Sequence, residues 1–148
     1  MDMIISNSAA ETESHGFHYA EGLGKGAVIG LSGDLGAGKT CWVRGLARGL
    51  GVASRVYSPT FALLHEYEGG RLPLFHLDLY RLEGIEEIYG AGLEGYLLGS
   101  QGVTVVEWIE RWEAFPPVEL PKYRKIHIEI LDEFKRKIIV GAGRDGQF

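Results

Sequence analysis

The chain has 148 residues, 45% of them hydrophobic, which suffices for one ordinary core and not for two, so residues 1–148 read as a single globular domain with frayed ends at 1–7 and 142–148. A formal net charge of -5 argues against a free-standing nucleic-acid binder, DNA included, because affinity for a phosphate backbone comes largely from clustered Lys and Arg. Cys41 is the only cysteine, which excludes an intramolecular disulfide, and no run reaches the roughly 18–20 apolar residues of a membrane span. Residues 1–10 lack the charged start and apolar core of a signal peptide, so a soluble cytoplasmic protein is expected.

Ser8-Ala9-Ala10-Glu11 fits a capping box and opens a modest helix over residues 8 to about 23, with Phe17 and Ala20 turned inward. Thr12 or its neighbours could reach a nucleotide base, since nothing else upstream of the phosphate loop is free to do so, but the residues alone favour a plain surface helix. Gly24-Lys25-Gly26 then turns the chain into Ala27-Val28-Ile29-Gly30-Leu31, which has the length and apolar, β-branched character of a buried strand.

That strand runs into Gly33-Asp34-Leu35-Gly36-Ala37-Gly38-Lys39-Thr40, which fits the phosphate-loop pattern of Gly, four residues, Gly, Lys, then Ser or Thr. Behind it Val43, Leu46, Ala47 and Leu50 recur at helical spacing, Arg44 and Arg48 fall on another face, and Gly51 supplies a stop. The order is therefore strand, loop, helix. Backbone N–H groups unobstructed by side chains at Gly36 and Gly38 can converge on phosphate oxygens at the positive end of the helix dipole. Lys39 adds a mobile charge for the outer phosphates, and the Thr40 hydroxyl suits Mg2+. The candidate cofactor-binding stretch is Asp34, Leu35, Gly36, Ala37, Gly38, Lys39, Thr40 and Cys41. Cys41 at a helix start could be an activated nucleophile, or simply a small residue of the first turn.

In Ser58-Pro59-Thr60-Phe61, Pro59 stiffens a segment that presents two hydroxyls, or that merely enters a strand. Strand-like runs at 61–67 and 72–80 flank Gly69-Gly70 and predict an antiparallel hairpin. Asp78 closes the second run. Residues 85–97 suggest one or two short helices interrupted by Gly90 and Gly92 that cover the sheet. Val103-Thr104-Val105-Val106-Glu107-Trp108 is a second buried strand, more central than the first, and also ends in an acid. Asp78 and Glu107 thus qualify for two tasks, one holding Mg2+ and the other orienting or deprotonating a water, and the residues alone do not divide the roles.

Pro116, Pro117 and Pro121 mark a loop. Ile126, Ile128 and Ile130 then alternate with His127 and Glu129 in a half-buried strand that should pair with 137–140 across a turn near 132–134. Lys135 and Arg136 would sit at that hairpin, facing either nucleotide or solvent. The five histidines lack paired metal-ligand spacing. Asn7 is the sole asparagine, so the Asn-Lys-x-Asp motif of guanine switches is absent; a small-molecule kinase with Arg111 or Arg124 as lid residues remains an alternative, as does a nucleotide-sensing module that does not hydrolyse.

The phosphate loop, Ser58-Pro59-Thr60-Phe61, His76-Leu77-Asp78-Leu79-Tyr80-Arg81 and Val105-Val106-Glu107-Trp108, in this order, closely resemble the bacterial TsaE (YjeE) family, the ATPase component of tRNA threonylcarbamoyladenosine synthesis, over about residues 8–140. The resemblance implies an α/β, P-loop NTPase-like, three-layer fold with a mixed central sheet and antiparallel hairpin strands. It implies ATP and Mg2+ as ligands and the TsaB and TsaD proteins as partners, with tRNA met only through them. It also favours Lys39, Asp78 and Glu107 as catalytic residues and Thr40 and Glu107 on Mg2+. Asp78 and the 58–60 segment would form a switch-like element, Trp108 would pack beside the site, and Thr12 and Lys135 would contact the base. The family often has a second Thr where this chain has Cys41.

Overall fold

Alternation of apolar side chains along the strands divides the core in two, and that division fixes which residues can meet at the site. The structure, a computed structural model, describes residues 2–59, 62–113 and 122–142. Thr60, Phe61, the loop prolines 116, 117 and 121, and residues 143–148 of the expected tail lie outside the described residues.

The described strands are β1 (Asp2–Ser6), β2 (Val28–Ser32), β3 (Leu64–Tyr67), β4 (Leu74–Asp78), β5 (Val103–Glu107), β6 (Tyr123–Ile130) and β7 (Arg136–Ala142). They form one sheet in the order β1-β7-β6-β2-β5-β4-β3. β6, β2, β5 and β4 run parallel, and β1, β7 and β3 join antiparallel. The sheet is mixed, as the resemblance implies, and the glycine-rich hairpin is the β3–β4 pair. Ile29, Leu31, Val103, Val105, Ile126 and Ile128 bury one face beneath α2 (Lys39–Gly49), whose Trp42, Val43 and Leu46 pack against them. On the other face Val28, Phe75, Leu77 and Val106 meet Ile88 of α3 (Ile85–Gly90), Leu97 of α4 (Glu94–Leu97), and Ile109 and Trp112 around α5 (Glu110–Glu113). The result is three layers.

Residues 1–7 depart from the expected frayed end, since Asp2–Ser6 pairs along β7 with Ser6 opposite Arg136. Four of its five residues are exposed, so an edge strand held by backbone hydrogen bonds leaves little trace in burial patterning. The first helix, α1 (Ala9–Tyr19), starts where expected, with Ser8 Oγ accepting from the Glu11 N–H at 3.1 Å. It stops earlier, in a 3-10 turn at Ala20–Gly22. Its buried stripe is Thr12, Gly16 and Ala20, with Phe17 half-buried.

Small residues are needed on that stripe because α1 and α2 touch backbone to backbone. A Cβ at Gly16 would collide with the Trp42 carbonyl oxygen, one at Gly45 with that of Glu13, and one at Gly49 with that of Phe17. Among the described residues no helix is long and apolar enough to cross a membrane.

Ala exceeds Gly in helix propensity by about 1 kcal/mol, so the sign of a Gly→Ala change separates open from crowded positions. Gly45→Ala should destabilise the protein by about 1–3 kcal/mol through overpacking. Gly95→Ala, with nothing within 4 Å of the added carbon, should be neutral or stabilise by up to about 1 kcal/mol. Urea unfolding of both variants checks this, and a Gly45→Ala protein as stable as its parent would refute the close helix contact.

Candidate functional site

The loop between β2 and α2 bends through glycine geometry. Gly33, Gly36 and Gly38 have φ of 143°, 80° and 106°, in the left-handed half of the map where a side chain is strained. Its carbonyl oxygens are tied down on the protein side. Lys39 Nζ donates to the Gly33 carbonyl and, at 3.2 Å, to that of Asp34. Arg136 donates from Nε to the Ala37 carbonyl at 3.0 Å and from its terminal nitrogen to that of Gly36 at 3.1 Å. The Gly38 carbonyl accepts the Trp42 N–H of α2 at 2.9 Å.

Beside the loop lies a cavity of about 270 Å³ lined by residues 35–41, Ser58, Asp78, Glu107 and Trp108. The two acids reach it from adjacent parallel strands, where Asp78 and Glu107 are register partners. Period-two alternation puts Asp78 on the face of Leu74 and Glu107 on the face of Val103 and Val105, which is the face covered by α2. Both acids are buried. Thr40 Oγ1 donates to Glu107 Oε2 at 3.0 Å, with Oε1 at 3.3 Å. Asp78 Oδ1 accepts the Tyr80 N–H at 2.8 Å, and Ser58 Oγ reaches Oδ2 at 3.4 Å.

These donors fit Mg2+. Octahedral Mg2+ binds oxygen at about 2.0–2.1 Å, which sets neighbouring ligands about 2.9 Å apart. The Thr40 hydroxyl and the nearer Glu107 oxygen are 3.0 Å apart, both hard donors, so the pair could occupy adjacent positions on one ion.

Trp108 follows Glu107 with φ of 59°, an uncommon conformation for a bulky residue, and this turn lays its ring 4.2 Å from Lys39 Nζ and 4.8 Å from Tyr80. Burial pulls the Lys39 ammonium below the ordinary lysine range, against the opposing pull of the carboxylates of Glu107, Glu110, Asp78 and Asp34. A poorly solvated cation among loop amides is prepared for an anionic ligand.

Other sequence candidates are placed differently. Thr12 abuts the loop, its methyl 3.6 Å from where a Cβ on Gly38 would sit, while its hydroxyl contacts Ser6 Oγ at 2.7 Å. Lys135 is exposed in the β6–β7 turn; its neighbour Arg136, which the sequence offered only as a hairpin cation, is the one on the loop. Cys41 directs its thiol to the Ala9 carbonyl at 3.3 Å, and burial with the nearby Glu13 carboxylate pushes the thiol above its usual range, which disfavours a thiolate nucleophile. Arg111 is exposed and donates to the Tyr80 carbonyl, and Arg124 pairs with Ile29 toward the start of β2, away from the loop. His76, unnoticed as a site residue, lies fully buried with Nε2 2.6 Å from Glu107 Oε2.

Acids arriving on strands parallel to the one that feeds a glycine loop make the arrangement of P-loop nucleotide-binding proteins, and this chain is one of them. The family model described as "Threonylcarbamoyl adenosine biosynthesis protein TsaE" matches residues 6–138, and the chain belongs to that family. It is 42% identical over 137 residues to the tRNA threonylcarbamoyladenosine biosynthesis protein TsaE of Treponema pallidum, covering 92% of this chain and 97% of the relative. The protein of the same name from Synechocystis is 47% identical over 108 residues, 71% of this chain and 68% of the relative. Among solved structures, Bacillus subtilis YdiB superposes with a TM-score of 0.74 at 33% identity, over 95% of this chain and 84% of its own.

The Arg136 clamp generates a prediction. Arg136→Ala removes charged donors from two loop carbonyls and should weaken ATP binding about tenfold, roughly 1.4 kcal/mol, without unfolding the protein. Titration calorimetry reads the affinity, and an unchanged value would mean that the clamp is dispensable to the loop.

Proposed function

We propose that this protein binds and hydrolyses ATP with Mg2+ and, as a nucleotide-driven switch on TsaB and TsaD partners, serves formation of N6-threonylcarbamoyladenosine at position 37 of tRNA. The observation that carries the reading is the meeting of Thr40, Asp78, Glu107 and Ser58 on one cavity beside the phosphate loop. The name of the family supplies the pathway.

In this reading the backbone of residues 34–41 cradles the phosphates, and Lys39 follows the outer ones as charge develops. Thr40 and Glu107 would hold Mg2+, which would supply neutralisation of phosphate charge there. Asp78 orients the attacking water and takes its proton, while the electron pair of the broken P–O bond leaves with ADP. Thr12 and Lys135 remain the proposed base contacts. Through its contact with Asp78, Ser58 ties the connection between α2 and β3 to the γ-phosphate position, the kind of link by which hydrolysis resets a docking surface.

In this reading the protein acts in the cytoplasm with no membrane or DNA involved, and the net charge of -5 fits tRNA being met only through the partners.

Phosphate release from ATP and Mg2+, measured alone and then with TsaB and TsaD, tests this, with Lys39→Ala as the blank. Release should rise with the partners, and Glu107→Gln, which weakens the hold on the cation, should lower it at least about 100-fold. Hydrolysis indifferent to the partners but stimulated by a metabolite would replace the switch with a small-molecule kinase. Undiminished turnover in Glu107→Gln would remove Glu107 from the machinery.

A further inference from the structure

His76 stands where β4 should be apolar. Leu74, Phe75 and Leu77 around it are buried, and His76 itself is 0% exposed, with Val105 and His65 as its register partners on the flanking strands. Among the described residues its one side-chain hydrogen bond is the 2.6 Å contact from Nε2 to Glu107 Oε2, and Nδ1 is buried with no hydrogen-bond partner. A carboxylate only accepts, so Nε2 supplies the proton of this contact, and Nδ1 is the buried ring nitrogen left without a partner. An unsatisfied buried polar atom costs stability that leucine here would avoid, so the position calls for a role.

We propose that His76 is a positioning residue that fixes the Glu107 carboxylate for Mg2+, a proposal resting on the reading of Thr40 and Glu107 as cation ligands. Glu107 receives two donors at once, His76 from within the sheet and Thr40 from the start of α2, and both converge on Oε2. The Thr40 hydroxyl is itself a prospective ligand, so when it turns its oxygen to the ion its hold on Glu107 changes. His76 lies behind the carboxylate, among strand residues, and its hold does not depend on the ion. The rotamer of Glu107 is therefore set before a cation arrives, and the ordering entropy of that long side chain falls on folding rather than on binding. Outer partners of metal ligands act in this way, and losing one typically lowers metal affinity about 10- to 100-fold.

The test compares binding of N-methylanthraniloyl-ATP in EDTA and in Mg2+, so that the readout is the gain in affinity contributed by the ion rather than turnover. His76→Leu, close in volume and without a donor, should bind in EDTA within about twofold of the parent and lose about tenfold of the Mg2+-dependent gain. His76→Gln, whose amide nitrogen can occupy the place of imidazole Nε2, should recover most of it. A His76→Leu protein with the parent's Mg2+ gain overturns the proposal, and so does equal loss in both variants, which marks a packing role. If the parent gains nothing from Mg2+, the cation reading of Thr40 and Glu107 fails and takes this inference with it. Should the leucine variant not fold, the nitrogen NMR spectrum of histidine-labelled parent decides: a proton on Nε2 of His76 is expected, and an Nε2 without one overturns the assignment.

Discussion

The loop between β2 and α2 must face its N–H groups to a ligand, so its carbonyl oxygens need partners behind it, and the rest of the site depends on who supplies them. Lys39 takes those of Gly33 and Asp34, Arg136 those of Gly36 and Ala37, and the first turn of α2 that of Gly38. The Gly33 carbonyl is buried and would cost about as much as a lost hydrogen bond if left alone, whereas Asp34 and Gly36 are exposed and their clamps act by fixing direction. Two of these clamps differ in kind. Arg136 is anchored through its other nitrogen to the Asp132 and Lys135 carbonyls at 2.9 Å and belongs to the scaffold. In the proposed reading Lys39 also serves the phosphates, and there a ligand must draw it from the carbonyls it now satisfies.

Strand alternation does for the acids what the clamps do for the loop. On β4 the positions of Leu74, His76 and Asp78 share one face, and on β5 those of Val103, Val105 and Glu107 share the same one, so the apolar residues that seat α2 also aim the carboxylates at its start. A shift of one residue in the β4–β5 register would uncouple Asp78 from Glu107, and the buried valines and leucines forbid it. The hydrophobic pattern therefore sets the geometry of the polar site.

This accounts for what could be read from the sequence. Residues 33–40, the strand before them and the acids at 78 and 107 were legible because each is specified locally, by glycine spacing, by an apolar run, or by the last residue of such a run. The more central place of β5 relative to β4 was read from its run, in which Thr104 is the only polar residue before the closing acid. Features that depend on contacts distant in the chain were not legible. β1 is exposed along four of five residues and exists through pairing with a strand some 130 positions later, so its Met3, Ile4 and Ile5 carry no alternation. Lys135 and Arg136 are adjacent and chemically alike; only the course of the hairpin decides which reaches the loop. His76 sits inside a recognisable motif, but its partner is Glu107, on another strand.

The supposedly frayed N-terminus then acquires a place in the site. Ser6 ends β1 opposite Arg136, and its hydroxyl meets both the Ser8 carbonyl at 2.8 Å and Thr12 at 2.7 Å. Thr12 in turn lies against Gly38, and α1 is pressed onto α2 through glycines that admit no side chain. The chain therefore closes a circuit around the loop: β1 holds β7, β7 presents Arg136 to the carbonyls, α1 backs the glycine that starts α2, and Ser6 joins the two arms. Few of these contacts bury much apolar surface, so their contribution is directional. Each removes a way for the loop backbone to turn its N–H groups inward, which is the state in which a phosphate would find no donors.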